Sequence, residues 1–205
     1  MDNFIGKLDG LDWVKNPDKV RKKIIDAASI LYARKGFADT SLQEVSEKAG
    51  VSRTVTRYHV KTKSEIMRMI MEDILTSFQE NLIKIIKDID NPKEKLTAAL
   101  YIYLKIVDQQ KEKALLIYQK SSSLDRASKS RVMQLEVDVS SIFEQIINEG
   151  IEQDLFKKVD VDLMAYNIMM LAHMWVLKRW HFKNRLSLDT YFKLQLEMIT
   201  DALKK

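Results

Sequence analysis

Apolar residues recur along the chain at three- and four-residue intervals, broken by small polar clusters, and this period predicts helices throughout. Val20, Ile24, Ala27, Ala28, Leu31 and Tyr32 share a face after Asn16-Pro17, an N-cap followed by a proline whose missing N–H costs nothing in a first turn. This helix runs to about Lys35, where Gly36 stops it. Ser41 with Glu44 makes a capping box that opens a short helix over 42–48, with Leu42, Val45 and Ala49 facing inward. Gly50 makes a tight turn, Ser52 caps a third short helix over 53–59, and Thr62 with Glu65 forms a second capping box. The long helix that follows carries Ile66, Ile70, Ile74, Phe78, Leu82, Ile85 and Ile89 as one stripe.

Beyond it the pattern predicts helices over 92–109, opened by Asn91-Pro92, then 113–121, 126–153, 160–183 and 188–204. Ser121-Ser122-Ser123-Leu124-Asp125 is the clearest polar break. The expected fold is all-α with about nine helices: a three-helix helix-turn-helix domain over 18–66 and a larger helical domain over 67–205. Residues 1–17 stand apart as an N-terminal extension, too weakly basic for a minor-groove arm.

Composition supports this picture and closes several routes. The 205 residues, 46% of them hydrophobic, can bury a sizeable core, and with 5 Gly and 2 Pro the chain has few helix breakers. With no Cys there is neither a disulfide framework nor a thiolate metal site, so a reducing cytoplasm is the expected compartment. The first residues lack the basic start and apolar run of a signal peptide. The most apolar stretch, 163–177, is too short for a bilayer and carries Asn167 and His173, so a soluble protein without a membrane partner is expected.

Charge adds a location. The net charge is +5; residues 18–66 hold 11 Lys/Arg against 6 Asp/Glu, while 67–205 hold 21 against 20. A local basic excess suits a surface that meets phosphate, where neutralisation releases counterions. A solvated helix face would carry the same excess, so charge alone leaves both readings open.

A helix-turn-helix needs a small residue and Gly at its turn, an apolar residue after it, and a second helix with polar residues outward. Ala49-Gly50-Val51-Ser52-Arg53-Thr54-Val55-Thr56-Arg57-Tyr58 supplies these, with Val51 and Val55 inward and Arg53, Thr54, Arg57 and Tyr58 outward. Arg can read guanine, the Thr methyl can pack on thymine, and Tyr or Ser can hold phosphates.

The segment 19–69 resembles the DNA-binding domain of the TetR/AcrR family. The resemblance rests on Ile24-Ile25-Asp26-Ala27-Ala28, Tyr32-Ala33-Arg34-Lys35-Gly36-Phe37, Thr40-Ser41-Leu42-Gln43-Glu44-Val45, Lys48-Ala49-Gly50-Val51-Ser52 and Lys61-Thr62-Lys63-Ser64-Glu65-Ile66, in the family's order and spacing. It implies a DNA surface drawn from Thr40, Ser41, Ser52, Arg53, Thr54, Thr56, Arg57, Tyr58, His59, Lys61 and Lys63, with Lys63 holding a phosphate beside helix N-terminal amides. Thr56 stands where the family usually has a large apolar residue, Arg57 where it has Tyr, and His59-Val60 where Tyr-Phe is commoner. Arg57 is thus open to reading a base, holding a phosphate or neither, and His59 to touching phosphate or filling the hinge.

The second domain is read mainly from its residues. The helix over 160–183 is rich in Met and aromatic side chains, which suits a plastic apolar pocket and equally suits core and dimer packing. Tyr103, Tyr118, Tyr166, Met169, Met170, His173, Met174, Leu177 and Arg179 are the expected effector contacts. Met164, Ile168, Trp175, Tyr191, Phe192, Met198 and Ile199 are expected at a homodimer interface of four helices. No acid lies three or four residues from His173 or His181, so no metal site is expected there. The cations Lys178, Arg179, Lys183 and Arg185 either hold an anionic group of a ligand or complement a helix end. The stretch 171–180 resembles the penultimate helix of a TetR subgroup that sits with lipid or acyl-CoA metabolism, which implies an acyl-CoA or long apolar carboxylate effector.

A helical enzyme would need converging carboxylates, an HExxH helix or a Gly-rich phosphate loop, and the sequence has none, so no catalysis and no cofactor are expected. The expected function is that of a homodimeric repressor, released from a palindromic operator by a small apolar or amphiphilic effector. The alternative is a helical protein-interaction module with a degenerate helix-turn-helix.

Overall fold

The computed structural model describes residues 17–120 and 124–205, which form ten helices and no strand. In order they are α1 (Pro17–Lys35), α2 (Leu42–Ala49), α3 (Arg53–His59), α4 (Lys63–Ile86), α5 (Pro92–Gln109), α6 (Lys111–Lys120), α7 (Arg126–Glu152), α8 (Val161–Leu177), α9 (Arg179–Phe182) and α10 (Leu188–Leu203). The extension expected over 1–17 lies outside the described residues apart from Pro17, as do the Asn16 cap and the serines of the polar break.

Local chemistry sets most boundaries. Gly36 (φ 91°) and Gly50 (φ 65°) take the left-handed conformation that a side chain disfavours, and end α1 and α2. Ser41, Ser52, Asn91, Asp125, Asp160 and Ser187 each cap the next helix by accepting a backbone N–H. At the start of α4 the box is shifted by one residue. The Thr62 hydroxyl accepts from the Glu65 amide, and the Glu65 carboxylate accepts from Lys61 N at 2.8 Å.

The core is organised around α4, which is buried at Ile66, Met67, Ile70, Met71, Ile74, Phe78 and Leu82 and packs on α1, α5, α6 and α7. The stripe expected to continue to Ile89 stops earlier: Ile85 is exposed, Ile86 packs inward and the helix ends there. A division at residue 66 falls within the first turns of α4, so one rigid helix serves both halves of the chain.

The single helix expected over 160–183 is two. It breaks at Lys178 (φ −112°, ψ 25°), between α8 and α9. Asp108 of α5 accepts from Trp175 Nε1 at 2.8 Å and from an Arg179 guanidinium nitrogen at 2.6 Å. Phe182 turns back to lie 6.3 Å from the Trp175 ring and 5.3 Å from that of Tyr191. A straight continuation would carry Phe182 away from both rings, so the anchored corner wins over uninterrupted helix.

Candidate nucleic-acid interface and internal cavity

On α3, residues 53, 54, 57 and 58 share a face by helical geometry, and Arg53, Thr54, Arg57 and Tyr58 are all exposed, Tyr58 at 73%. No acidic residue lies on α3, and among the described residues the side chains of Arg53, Arg57 and Lys61 make no ion pair. Ser41 and Ser52 are exposed at the N-caps of α2 and α3, beside this prong. Val55 and Val60 are buried on its inner side, where α3 packs on α2.

Four residues expected on the DNA surface are turned elsewhere. Thr56 is fully buried, and its hydroxyl donates to Ser52 O at 3.3 Å, so the polar group that replaces an apolar one is satisfied by its own helix. Thr40 is buried too, donating to Gly36 O at 2.8 Å. The Lys63 ammonium donates to Phe37 O at 2.9 Å and Ala38 O at 2.7 Å and lies over the Phe37 ring, so two of its three donors brace the turn after α1. His59 is half-buried at the α3–α4 hinge with Nε2 enclosed; burial and then the Arg21 charge lower its pKa. The ring nitrogen Nε2 thus points into the hinge, and the lowered pKa disfavours the charged form that a phosphate would hold.

Behind this unit an ionic cluster ties three helices together. Asp73 of α4 accepts from Lys22 of α1 at 2.8 Å and Lys113 of α6 at 2.7 Å, while Lys113 also lies 3.2 Å from Asp26 of α1. Burial pushes the Asp73 carboxyl up, but the two ammonium groups outweigh it and hold it below its ordinary value.

A cavity of about 310 Å³ lies among α4, α6, α7 and α8. Leu75, Phe78, Ile117 and Val132 make its apolar walls, and Tyr118, Lys129 and Met133 are exposed where it meets solvent. Its polar end is His173, bonded through Nε2 to the Tyr103 hydroxyl at 2.6 Å and through Nδ1 to the Tyr118 hydroxyl. Burial lowers the His173 pKa to about 4, so the ring is neutral near pH 7 and has one donor and one acceptor. Tyr103 is fully buried against Phe78 and Phe143. Were its hydroxyl the acceptor, its proton would have no partner among the described residues, at a cost of about 1–3 kcal/mol. Tyr103 therefore donates to Nε2, Nδ1 carries the ring hydrogen, and Tyr118 accepts it.

Of the expected effector contacts, Tyr103, Tyr118 and His173 come together here. Tyr166 is half-buried and feels the charge of Glu136, and Met169 is buried in the core. Met170, Met174 and Leu177 line a different feature, an apolar groove between α8 and α10. Arg179 is paired with Asp108. The expectation treated α8 as one surface, whereas 169 and 173 lie on its core face and 170, 174 and 177 on another.

The same groove takes up Met164 and Met198, and Ile199 lines it while being 3% exposed. Ile168, Trp175 and Tyr191 are buried within the chain's own core, Tyr191 donating to Leu171 O at 2.6 Å, so they leave little surface for a second copy. Phe192 is half-buried against Tyr101. Sequence reasoning missed Glu136 and Asp108. Glu136 had a signal, since it sits one turn from Val132 on the apolar face of α7; Asp108 had none.

A family model described as bacterial regulatory proteins, tetR family, matches residues 24–68, and one described as tetracyclin repressor-like, C-terminal domain, matches residues 90–184. The chain belongs to the TetR family. It is therefore a DNA-binding transcriptional regulator, of a class that is generally not enzymatic. TetR regulators bind operator DNA, form dimers and bind small-molecule effectors.

Among its relatives, the HTH-type transcriptional regulator HbdR of Aromatoleum sp. (strain CIB) is 25% identical over 181 residues, which is 88% of this chain and 79% of HbdR. Two solved TetR-family folds superpose closely. PfmR of Thermus thermophilus has a TM-score of 0.76 at 21% identity, covering 89% of this chain and 99% of PfmR. AibR in complex with isovaleryl coenzyme A and operator DNA has a TM-score of 0.74 at 19% identity, covering 87% of this chain and 97% of AibR. Among the described residues of this TetR regulator, no helix is long and apolar enough to cross a membrane.

Proposed function

We propose that this TetR regulator is a homodimeric repressor whose α3 prongs enter successive major grooves of a palindromic operator and which a small apolar or amphiphilic effector, such as an acyl-CoA, releases. The observation that carries the reading is the exposed Arg53-Thr54-Arg57-Tyr58 face, on a helix without acid and in a segment holding the chain's whole basic excess. Two such helices must be held about 34–36 Å apart, which requires a dimer. The α8–α10 groove with Met164 and the exposed Met198 is the surface suited to a second copy.

The cavity beside His173 is the effector pocket in this reading, with AibR, solved with isovaleryl coenzyme A, as the precedent for an acyl-CoA. Release follows from a shared helix. α4 lends Leu75 and Phe78 to the cavity, follows α3 directly in the chain and packs on α1, so a ligand that tilts α4 moves the prongs out of register. Ligand and DNA then oppose each other reciprocally, typically by about 1–3 kcal/mol.

A gel shift on the DNA upstream of its own gene, across a salt series and with acyl-CoAs added, tests this. Expected are a retarded band that weakens steeply with salt and a further loss with ligand. Absence of any salt-dependent retardation would favour the protein-interaction module instead.

A further inference from the structure

The chain of hydrogen bonds at His173 ends on a weakly held donor, and its position says what an effector must bring; this inference rests on the cavity being the effector pocket. With Tyr103 donating to Nε2 and Nδ1–H donating to Tyr118, the proton of the Tyr118 hydroxyl is turned away from the ring. The acceptor within its reach among the described residues is the Met170 thioether at 3.5 Å, a weak one. Tyr118 lines the cavity, so it presents a partly desolvated O–H donor to whatever enters.

We propose that the cavity selects effectors with an uncharged hydrogen-bond acceptor next to an apolar chain, a carbonyl of the thioester, ester or ketone kind taken by Tyr118, and that it discriminates against the matching free carboxylate. The first half follows from the Tyr118 hydroxyl being a donor held only by a thioether, on a residue of the cavity wall, so that a better acceptor can take it. Apolar walls of Leu75, Phe78, Ile117 and Val132 accept the chain, and a site built to donate one hydrogen bond loses it to any ligand lacking an acceptor.

The second half follows from Glu136, whose carboxyl belongs to the same cavity wall. Burial raises the Glu136 pKa, and its charge reaches Tyr118, whose phenol is pushed up to about 12 by burial first and Glu136 second. A ligand carboxylate placed at Tyr118 would share a partly buried wall with the Glu136 carboxylate, where like charges repel. Lys129 lies two turns earlier on α7, exposed at the cavity mouth, where water screens it.

Calorimetric titration of the full chain with S-ethyl alkanethioates, the matching alkanoates and the matching ethyl alkyl sulfides, in short, medium and long chains, separates the possibilities. At the best chain length the thioester should bind at least about tenfold more tightly than either the sulfide, which lacks the oxygen, or the alkanoate. Tyr118→Phe should bring the thioester down to the sulfide's affinity while leaving the sulfide unchanged, and Glu136→Gln should strengthen alkanoate binding alone. A sulfide as tight as the thioester overturns the inference but leaves the pocket standing. An alkanoate as tight as the thioester overturns the discrimination against charge. If no probe binds at any length, the cavity is not an effector pocket and both readings fall.

Discussion

Arg53 and Arg57 stand one turn apart on the outward face of α3, and their roles separate by measurement. If each holds a phosphate, replacement by Ala weakens binding to all sequences and flattens the plot of log K against log salt by about 0.9 per residue. A residue that reads a base instead costs about 1–3 kcal/mol at one base pair and leaves the slope nearly alone. No change in either quantity would remove α3 from the interface. His173 gives a pH signature. Its pKa is about 6.5 when unfolded and about 4 when buried, so its burial costs no charge above pH 6.5. Stability is lost as pH falls from about 6.5 towards 4, by at most about 3 kcal/mol, and thermal melts of His173→Phe should lack that part of the acid-side decline. The outward residues of α3 were legible in the sequence because helical period alone sorts them. Thr56 was not, because a hydroxyl that bonds its own helix can be buried where polarity suggests a surface.

At the scale of elements, caps and glycines announced themselves, and the starts of α2, α3, α5, α7 and α10 lie where the sequence puts them. The corner between α8 and α9 did not, since it depends on Asp108, far away in the chain, taking hold of Trp175 and Arg179. The split of the effector and dimer residues on α8 was illegible for the same reason: a helix apolar around most of its girth does not say which neighbour covers which side. The Lys113 cluster is likewise tertiary. Replacing Lys113 by Met leaves Asp73 with Lys22 alone and should cost about 1–3 kcal/mol in chemical denaturation at neutral pH. Because Asp73 is held below its ordinary pKa, its share of stability is present above about pH 4 and disappears as pH falls further. The variant should show a shallower loss there. An unchanged denaturation midpoint would reduce the cluster to surface decoration.

For the whole molecule, everything on the DNA side depends on two copies meeting. Met198, exposed on α10, and Met164 across the groove on α8 face outward from an intact protomer core, so Met198→Glu should split a dimer without unfolding the chain. Sedimentation should then show a monomer with unchanged helical circular dichroism, and operator affinity should drop by orders of magnitude. A persistent dimer would move the interface elsewhere. The bend at Lys178 has one more consequence. It leaves two indoles five residues apart in opposite surroundings, Trp175 at 4% exposure among aromatic rings and Trp180 at 72% in water. The protein thereby carries its own optical gauge. With Trp13 and Trp180 replaced by Phe, the remaining emission should be blue and shielded from acrylamide, and a red shift would report the moment that Asp108 lets go.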